Sequence, residues 1–172
     1  EIKQAMADMG RMFSLLDTPL EVADVPKAPA LLIRDPLRGP EIRFEQVCFY
    51  YEATRPILLD IDFVIAPGTT TAVVGRSGSG KSTLARLLFR FYDVQSGRIL
   101  VDGQDIRQVT QESVRAAIGM VPQDTVLFND TLYYNIHYGR PQASQADVFA
   151  AARAAHIHDF IESLPQGYDT PV

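Results

Sequence analysis

The run Gly75-Arg76-Ser77-Gly78-Ser79-Gly80-Lys81-Ser82 matches G-x-x-x-x-G-K-[S/T] at every fixed position. Residues of these types at this spacing hold phosphate. Gly75, Gly78 and Gly80 let the main chain approach phosphate oxygens and take φ > 0 where needed. The Lys81 ammonium would neutralise the outer phosphates, and the Ser82 hydroxyl would ligate Mg²⁺. Arg76, Ser77, Ser79 and Thr83 complete the expected set of phosphate contacts. Such a loop works only between a strand and a helix. The strand delivers it, and the helix N-terminus turns free N–H groups and a positive dipole end toward the anion. Thr71-Ala72-Val73-Val74 supplies the apolar run before the loop, and Ser82–Leu88 the helical run after it.

Other side chains carry weaker signals. Tyr51 closes an alternating strand pattern ahead of the loop. By spacing alone it is either a strand residue covering the core or an aromatic face for stacking on a purine. Ile57 could flank the same ring. Gln123 follows a short apolar strand and Pro122, at the strand end where α/β sheets place ligand contacts. Its amide could reach Mg²⁺ and an attacking water, although position alone equally suits a loop glutamine. Ile99-Leu100-Val101-Asp102 imitates the apolar strand ending in a metal-binding aspartate, but Gly103 follows, so Asp102 reads as a hairpin turn. Asp60 reads as a solvated strand position. His156 and His158 are two apart on a helix end and splay, which argues against a metal site. No glutamate follows an apolar strand, so the residues that would polarise water are missing from this sequence.

Composition narrows the class. The chain has 172 residues, 47% apolar and 22% charged, which is globular usage. A net charge of −5 disfavours nucleic acid and anionic membrane surfaces as partners. The single cysteine, Cys48, excludes an internal disulfide. No apolar run approaches the ~18 residues that a membrane span needs. Both ends read as cut from a longer protein.

Three segments follow from patterning. Residues 1–17 form an amphipathic helix on Ile2, Met6, Met9, Phe13 and Leu16, packing either on its own domain or arriving from another. Residues 18–40 hold Pro19, Pro26, Pro29, Pro36 and Pro40 and read as an extended linker. Residues 41–172 form the folded domain. Its front is a small antiparallel β subdomain, with Ile42, Phe44, Val47, Phe49 and Tyr51 on one strand and a slip near Gln46. Leu59, Ile61, Phe63 and Ile65 alternate on the next. After residue 69, strands and helices alternate, including a strand at Ile118–Val121 and a helix over Asp147–His156 capped by Ser144. The fold class is therefore α/β: a P-loop NTPase core with a mostly parallel sheet and flanking helices, plus the antiparallel subdomain, incomplete at the C-terminus.

Val47-Cys48-Phe49-Tyr50-Tyr51, the loop 75–82, Ser96-Gly97-Arg98-Ile99, Val121-Pro122-Gln123-Asp124 and Phe128-Asn129-Asp130-Thr131-Leu132 resemble, in type and order, ATP-binding cassette (ABC) domains of exporters. Gly167-Tyr168-Asp169-Thr170 resembles the approach to that family's signature sequence. Arg86–Tyr92 and Thr131–Ile136 resemble the half-transporter subfamily of heavy-metal and iron–sulfur-related exporters. The helix Ile2–Leu16 with Asp17-Thr18-Pro19 resembles a last membrane helix running into its linker.

The resemblance implies ATP and Mg²⁺ as ligands, Tyr51 as the adenine-stacking aromatic, and Gln123 as the link between Mg²⁺ and the membrane domain. It implies Lys81 and Gln123 as the catalytic residues within this stretch. Its implied partners are a second nucleotide-binding domain, in a homodimeric half-transporter, and a membrane domain of the same chain. The implied location is the cytoplasmic face of a bacterial inner membrane or the matrix face of the mitochondrial one. The signature, second aspartate strand, catalytic glutamate and switch histidine would follow residue 172, so the resemblance implies ATP binding here and hydrolysis in a longer protein. The alternative reading is a soluble ABC-type ATPase of DNA repair or translation, which would carry a basic face or long coiled-coil insertions.

Overall fold

The computed structural model describes residues 6, 9, 10, 12–14, 21–122 and 125–172. Gln123, Ile2 and Leu16 lie outside the described residues. At residues 6, 9, 10 and 12–14 the backbone is helical, with Met6, Met9, Met12 and Phe13 exposed. The chain divides into two compact units, Glu1–Met120 and Val121–Val172.

The first unit is built on a four-stranded sheet, β1 (Ile42–Glu52), β2 (Arg55–Ile65), β3 (Ser96–Val101) and β4 (Gln104–Asp105), in the order β2-β1-β3-β4. Every neighbouring pair is antiparallel. Alternation puts Phe44, Val47 and Phe49 of β1 into the core beside Ile99 and Val101 of β3, and the Phe44 and Phe63 rings stack at 4.6 Å. The slip expected near Gln46 is a bulge: Gln46 has φ 48, and the register jumps between Phe44 and Val47.

A second bulge corrects the expected β2 face. Asp60 has φ 49, and the Cys48 Sγ accepts its N–H at 3.3 Å. The extra residue turns Leu58 into the core and leaves Leu59 67% exposed, while Ile61, Phe63 and Ile65 keep the inward side. Asp102 and Gly103, at φ 48 and 79, form the tight turn between β3 and β4, so Asp102 is the hairpin residue its glycine neighbour implied.

Helix α1 (Lys81–Leu88) leaves the phosphate-loop sequence, and α2 (Gln111–Ala116) follows β4. The expected parallel sheet is not formed by the described residues. Thr71–Val74 and Ile118–Val121 have no ladder partner, and Val74 is 88% exposed. A parallel strand is stabilised by like-directed neighbours and by cover on both faces; without them the runs stay irregular.

The proline-rich stretch is extended and also anchored. The Leu31 N–H donates to Ser113 Oγ at 2.8 Å, and Gln104 exchanges two bonds with the Leu32 backbone. The Asp102 carboxylate accepts the N–H groups of Arg34 and Glu41 at 2.8 and 2.9 Å. Leu31 and Ile33 pack on the core. Residues 21–40 thus form a strap laid along the first unit.

The second unit holds α3 (Leu132–His137), α4 (Gln145–Ala154), α5 (His158–Glu162) and a 3₁₀ turn at Gly167–Asp169. Val148, Ala152, Ile161 and Tyr168 make its core. Ser144 and Asp147 form the reciprocal cap expected from their spacing, although α4 starts at Gln145. The same Ser144 bonds, backbone first, hold the Asp147 carboxyl below its usual range. Near the chain end, Thr131 bridges Pro171, and Leu132 N–H donates to Thr170 O at 3.0 Å.

Candidate functional site

The loop from Gly75 to Ser82 ends on Gly80, the N-cap of α1, at φ 89. Glycine is required there twice over. The left-handed conformation disfavours a side chain, and a Cβ would lie 2.8 Å from Leu58 Cδ2 and 3.3 Å from Ile57 Cγ2. The buried edge of the sheet therefore seats the loop: apolar β2 residues push against its backbone and fix where α1 begins. No side chain caps this helix, and its first intrahelical bond is Leu84 N–H to Gly80 O at 3.1 Å. The N–H groups of the first turn are left for another acceptor.

Lys81 lies beside them. Its ammonium donates to the carbonyl oxygens of Gly75 at 2.8 Å and Arg76 at 2.7 Å, folding back over the loop it belongs to. Within the loop the Ser79 N–H bonds to Arg76 O at 3.2 Å. The Ser82 side chain is exposed on the first turn, while Thr83 is buried. Cation, uncapped helix end and open backbone are the parts that an anion site at a helix N-terminus requires.

Tyr51 reaches the same helix from the end of β1. Its hydroxyl is 3.4 Å from Thr83 Oγ1 and accepts a bond from Arg86 Nη1 at 3.2 Å. Its ring stands perpendicular to Phe49 at 4.9 Å and to Tyr92 at 5.1 Å, yet remains 42% exposed. The hydrogen bond that Arg86 donates to Tyr51, and then attraction to the ionised phenolate, push the Arg86 guanidinium up from its ordinary value. The structure thus brings Tyr51, Ile57, Gly80, Lys81, Ser82 and Thr83 to one end of α1. Gln123 is not among the described residues.

Arg86 and Tyr92 were absent from the expected site. A signal for Arg86 existed: it is three residues after Thr83, so both share one face of α1. The tether to Tyr51 spans 35 residues of sequence and has no local signature. His158 faces Tyr168, with 2.8 Å between Nδ1 and the phenol oxygen, and burial pushes that phenol's pKa up.

Residues 58–171 match the ABC transporter family. The chain is 59% identical over 171 residues to an ATM1-type heavy metal exporter of Novosphingobium aromaticivorans, covering 99% of this chain and 28% of that protein. It is 52% identical over 172 residues to the mitochondrial iron-sulfur clusters transporter ATM1 of Chaetomium globosum, covering 100% and 28%. Human ATP-binding cassette sub-family B member 6 is 54% identical over 171 residues, with 99% and 20% covered. Among solved structures, a bacterial Atm1-family ABC exporter with ATP bound superposes with a TM-score of 0.92 at 59% identity, over 99% of this chain and 29% of that one. This chain spans less than a third of the length of these relatives. At this likeness the fold is the P-loop nucleotide-binding fold of ABC proteins, here with its antiparallel subdomain formed. The chain belongs to the ABC transporter family.

Proposed function

We propose that this chain is the ATP–Mg²⁺-binding part of an Atm1-type exporter, in which ATP hydrolysis drives transport across a membrane. The observation that carries the reading is the junction at Gly80, where an uncapped helix end and the Lys81 ammonium meet on a backbone with no room for a side chain. ATP would exchange its phosphate oxygens for the Gly75 and Arg76 carbonyls as partners of Lys81. The first-turn N–H groups would donate to the same phosphates, and Arg76, Ser77, Gly78 and Ser79 would line the loop around them. Tyr51 would stack on the adenine, with Ile57 beside it.

The donor set also suits a hard cation. Ser82 offers an exposed neutral oxygen, and Mg²⁺ takes few protein ligands when phosphates supply the others. Mg²⁺ would neutralise charge developing on the transferred phosphoryl group. Gln123 is proposed as the second protein contact of that cation and its link to the membrane domain.

In this reading residues 1–17 end a membrane-domain helix, residues 18–40 link it to the nucleotide-binding domain, and residues 41–172 begin that domain. No helix among the described residues is long and apolar enough to cross a membrane. The partners are a second nucleotide-binding domain, in a homodimeric half-transporter, and the membrane domain of the same chain. The domain would face the bacterial cytoplasm or the mitochondrial matrix. The transported class follows the relatives: heavy-metal or iron–sulfur-related compounds.

Titrating the chain with ATP, with and without Mg²⁺, tests the reading against Lys81→Ala. Hydrogen bonds to charged groups contribute about 1.5–3 kcal/mol, so the variant should bind ATP about 10- to 100-fold more weakly. Equal affinity in a variant whose circular dichroism matches the parent would remove the proposal's main support. Turnover by these 172 residues alone should stay near background, because the sequence supplies no glutamate placed to polarise water. Phosphate release at about 1 s⁻¹ or faster, the range of ordinary enzymes, would contradict that expectation.

A further inference from the structure

Tyr51 is held more tightly than stacking on a base requires. A ring that merely offered a face would need only the apolar support of Phe49 and Tyr92, whose perpendicular packing already limits its tilt. Its hydroxyl carries a second restraint, from the helix that binds phosphate. Thr83 Oγ1 lies 3.4 Å away and Arg86 Nη1 donates at 3.2 Å. Thr83 is buried, so its hydroxyl has few other places to turn. Arg86 is one turn further along the same face of α1, and its guanidinium reaches over exposed surface to the phenol.

Thr83 follows Ser82, so the distance between the ring and the first turn of α1 is set by side chains of α1 itself. A nucleotide spans that distance: its triphosphate sits at one end and its base at the other. A ring free to swing would be ordered only on binding, at a cost to affinity.

We propose that Arg86 and Thr83 are positioning residues that tie the Tyr51 hydroxyl to the phosphate-binding helix, presetting the ring for the nucleobase of a nucleoside triphosphate. This rests on the reading of residues 75–83 as a nucleotide site. It makes Arg86 a determinant of base affinity although it touches neither base nor phosphate.

The test compares binding of ATP with binding of inorganic tripolyphosphate, which has the charge but no base, in Mg²⁺ buffer. The variants of the 172-residue chain are Arg86→Ala, Arg86→Lys, Tyr51→Phe and Lys81→Ala. Arg86→Ala and Tyr51→Phe should each weaken ATP about three- to tenfold and leave tripolyphosphate unchanged. Arg86→Lys, which keeps a donor, should recover part of the loss. Tyr51→Phe keeps the aromatic face, so its loss reports the hydroxyl tether and not stacking. Two results would overturn the inference: an unchanged ATP affinity in Arg86→Ala, or an equal fold-loss for both ligands, which would make Arg86 a simple source of positive charge. Lys81→Ala separates the two proposals. If it leaves both ligands unaffected, the site reading fails; if it weakens both while Arg86→Ala shifts neither, the site stands and the tether falls.

Discussion

Gly97→Ala is expected to remove the cooperative melt of the first unit. Gly97 sits at φ 75 in β3, opposite the Gln46 bulge of β1. A Cβ there would enter the Glu45 and Gln46 carbonyl oxygens, which are backbone atoms and cannot swing aside. The left-handed conformation alone costs a non-glycine residue about 1–2 kcal/mol. The larger part is displacement of β1 itself, which breaks the Glu45–Arg98 and Cys48–Ser96 register that ties the two central strands. The sum is about 4 kcal/mol or more, comparable with the whole stability of many small domains. Circular dichroism during heating measures it directly. A melting midpoint within a few degrees of the parent would show that β1 can move away cheaply, and the account of the bulge would be wrong.

Arg90→Met should cost nearly as much, by a different route. Arg90 is 1% exposed and carries a full set of partners: Asp24 at 3.0 Å, Asp93 at 3.2 Å, Val109 O at 2.9 Å and Ala23 O at 3.0 Å. Asp24 in turn accepts the Gln111 N–H at 3.0 Å. One guanidinium thus joins the strap, the end of α1 and the start of α2. Breaking a buried ion pair on one side typically costs about 3–5 kcal/mol, because the other groups stay behind unpaired. Asp24 and Asp93 are each about one-third exposed, so water recovers part of their loss and the lower end applies. Lysine should not rescue, since one ammonium cannot span the planar fork that meets four acceptors. Urea melts and amide exchange over residues 21–35 read the two consequences, lower stability and a detached strap. Parental exchange rates in the variant would mean that the prolines and apolar contacts hold the strap without Arg90. In a cycle with Asp24→Asn, strict additivity would likewise count against the shared network.

Both predictions concern features that spacing did not disclose. Gly97 and Arg90 were each visible only as one member of a family-like run. What local chemistry specifies was legible. Gly80 announces the start of α1 because the left-handed turn into the helix favours glycine at that offset. Ser144 and Asp147 announce a cap for the same reason, and Asp102-Gly103 a tight turn. Each signal is complete within a few residues, so no distant partner can change it.

Long-range packing settled the rest. Leu58 rather than Leu59 faces inward because an Asp60 bulge, matched to Cys48 across the strand pair, shifts the alternation by one. The strap looked like an unattached linker because its anchors are Gln104, Asp102, Ser113 and Arg90, more than 60 residues away. Thr71–Val74 and Ile118–Val121 have strand composition but form no ladder, since composition confers a tendency and a strand exists only when a neighbour takes its hydrogen bonds. The turn into α1 is thus written in consecutive residues, whereas the placement of the Tyr51 hydroxyl beside Thr83 and Arg86 depends on contacts made across the fold. Turn and cap geometry is a local property of the chain; ladders, bulges and side-chain placement depend on which surfaces meet once it has folded.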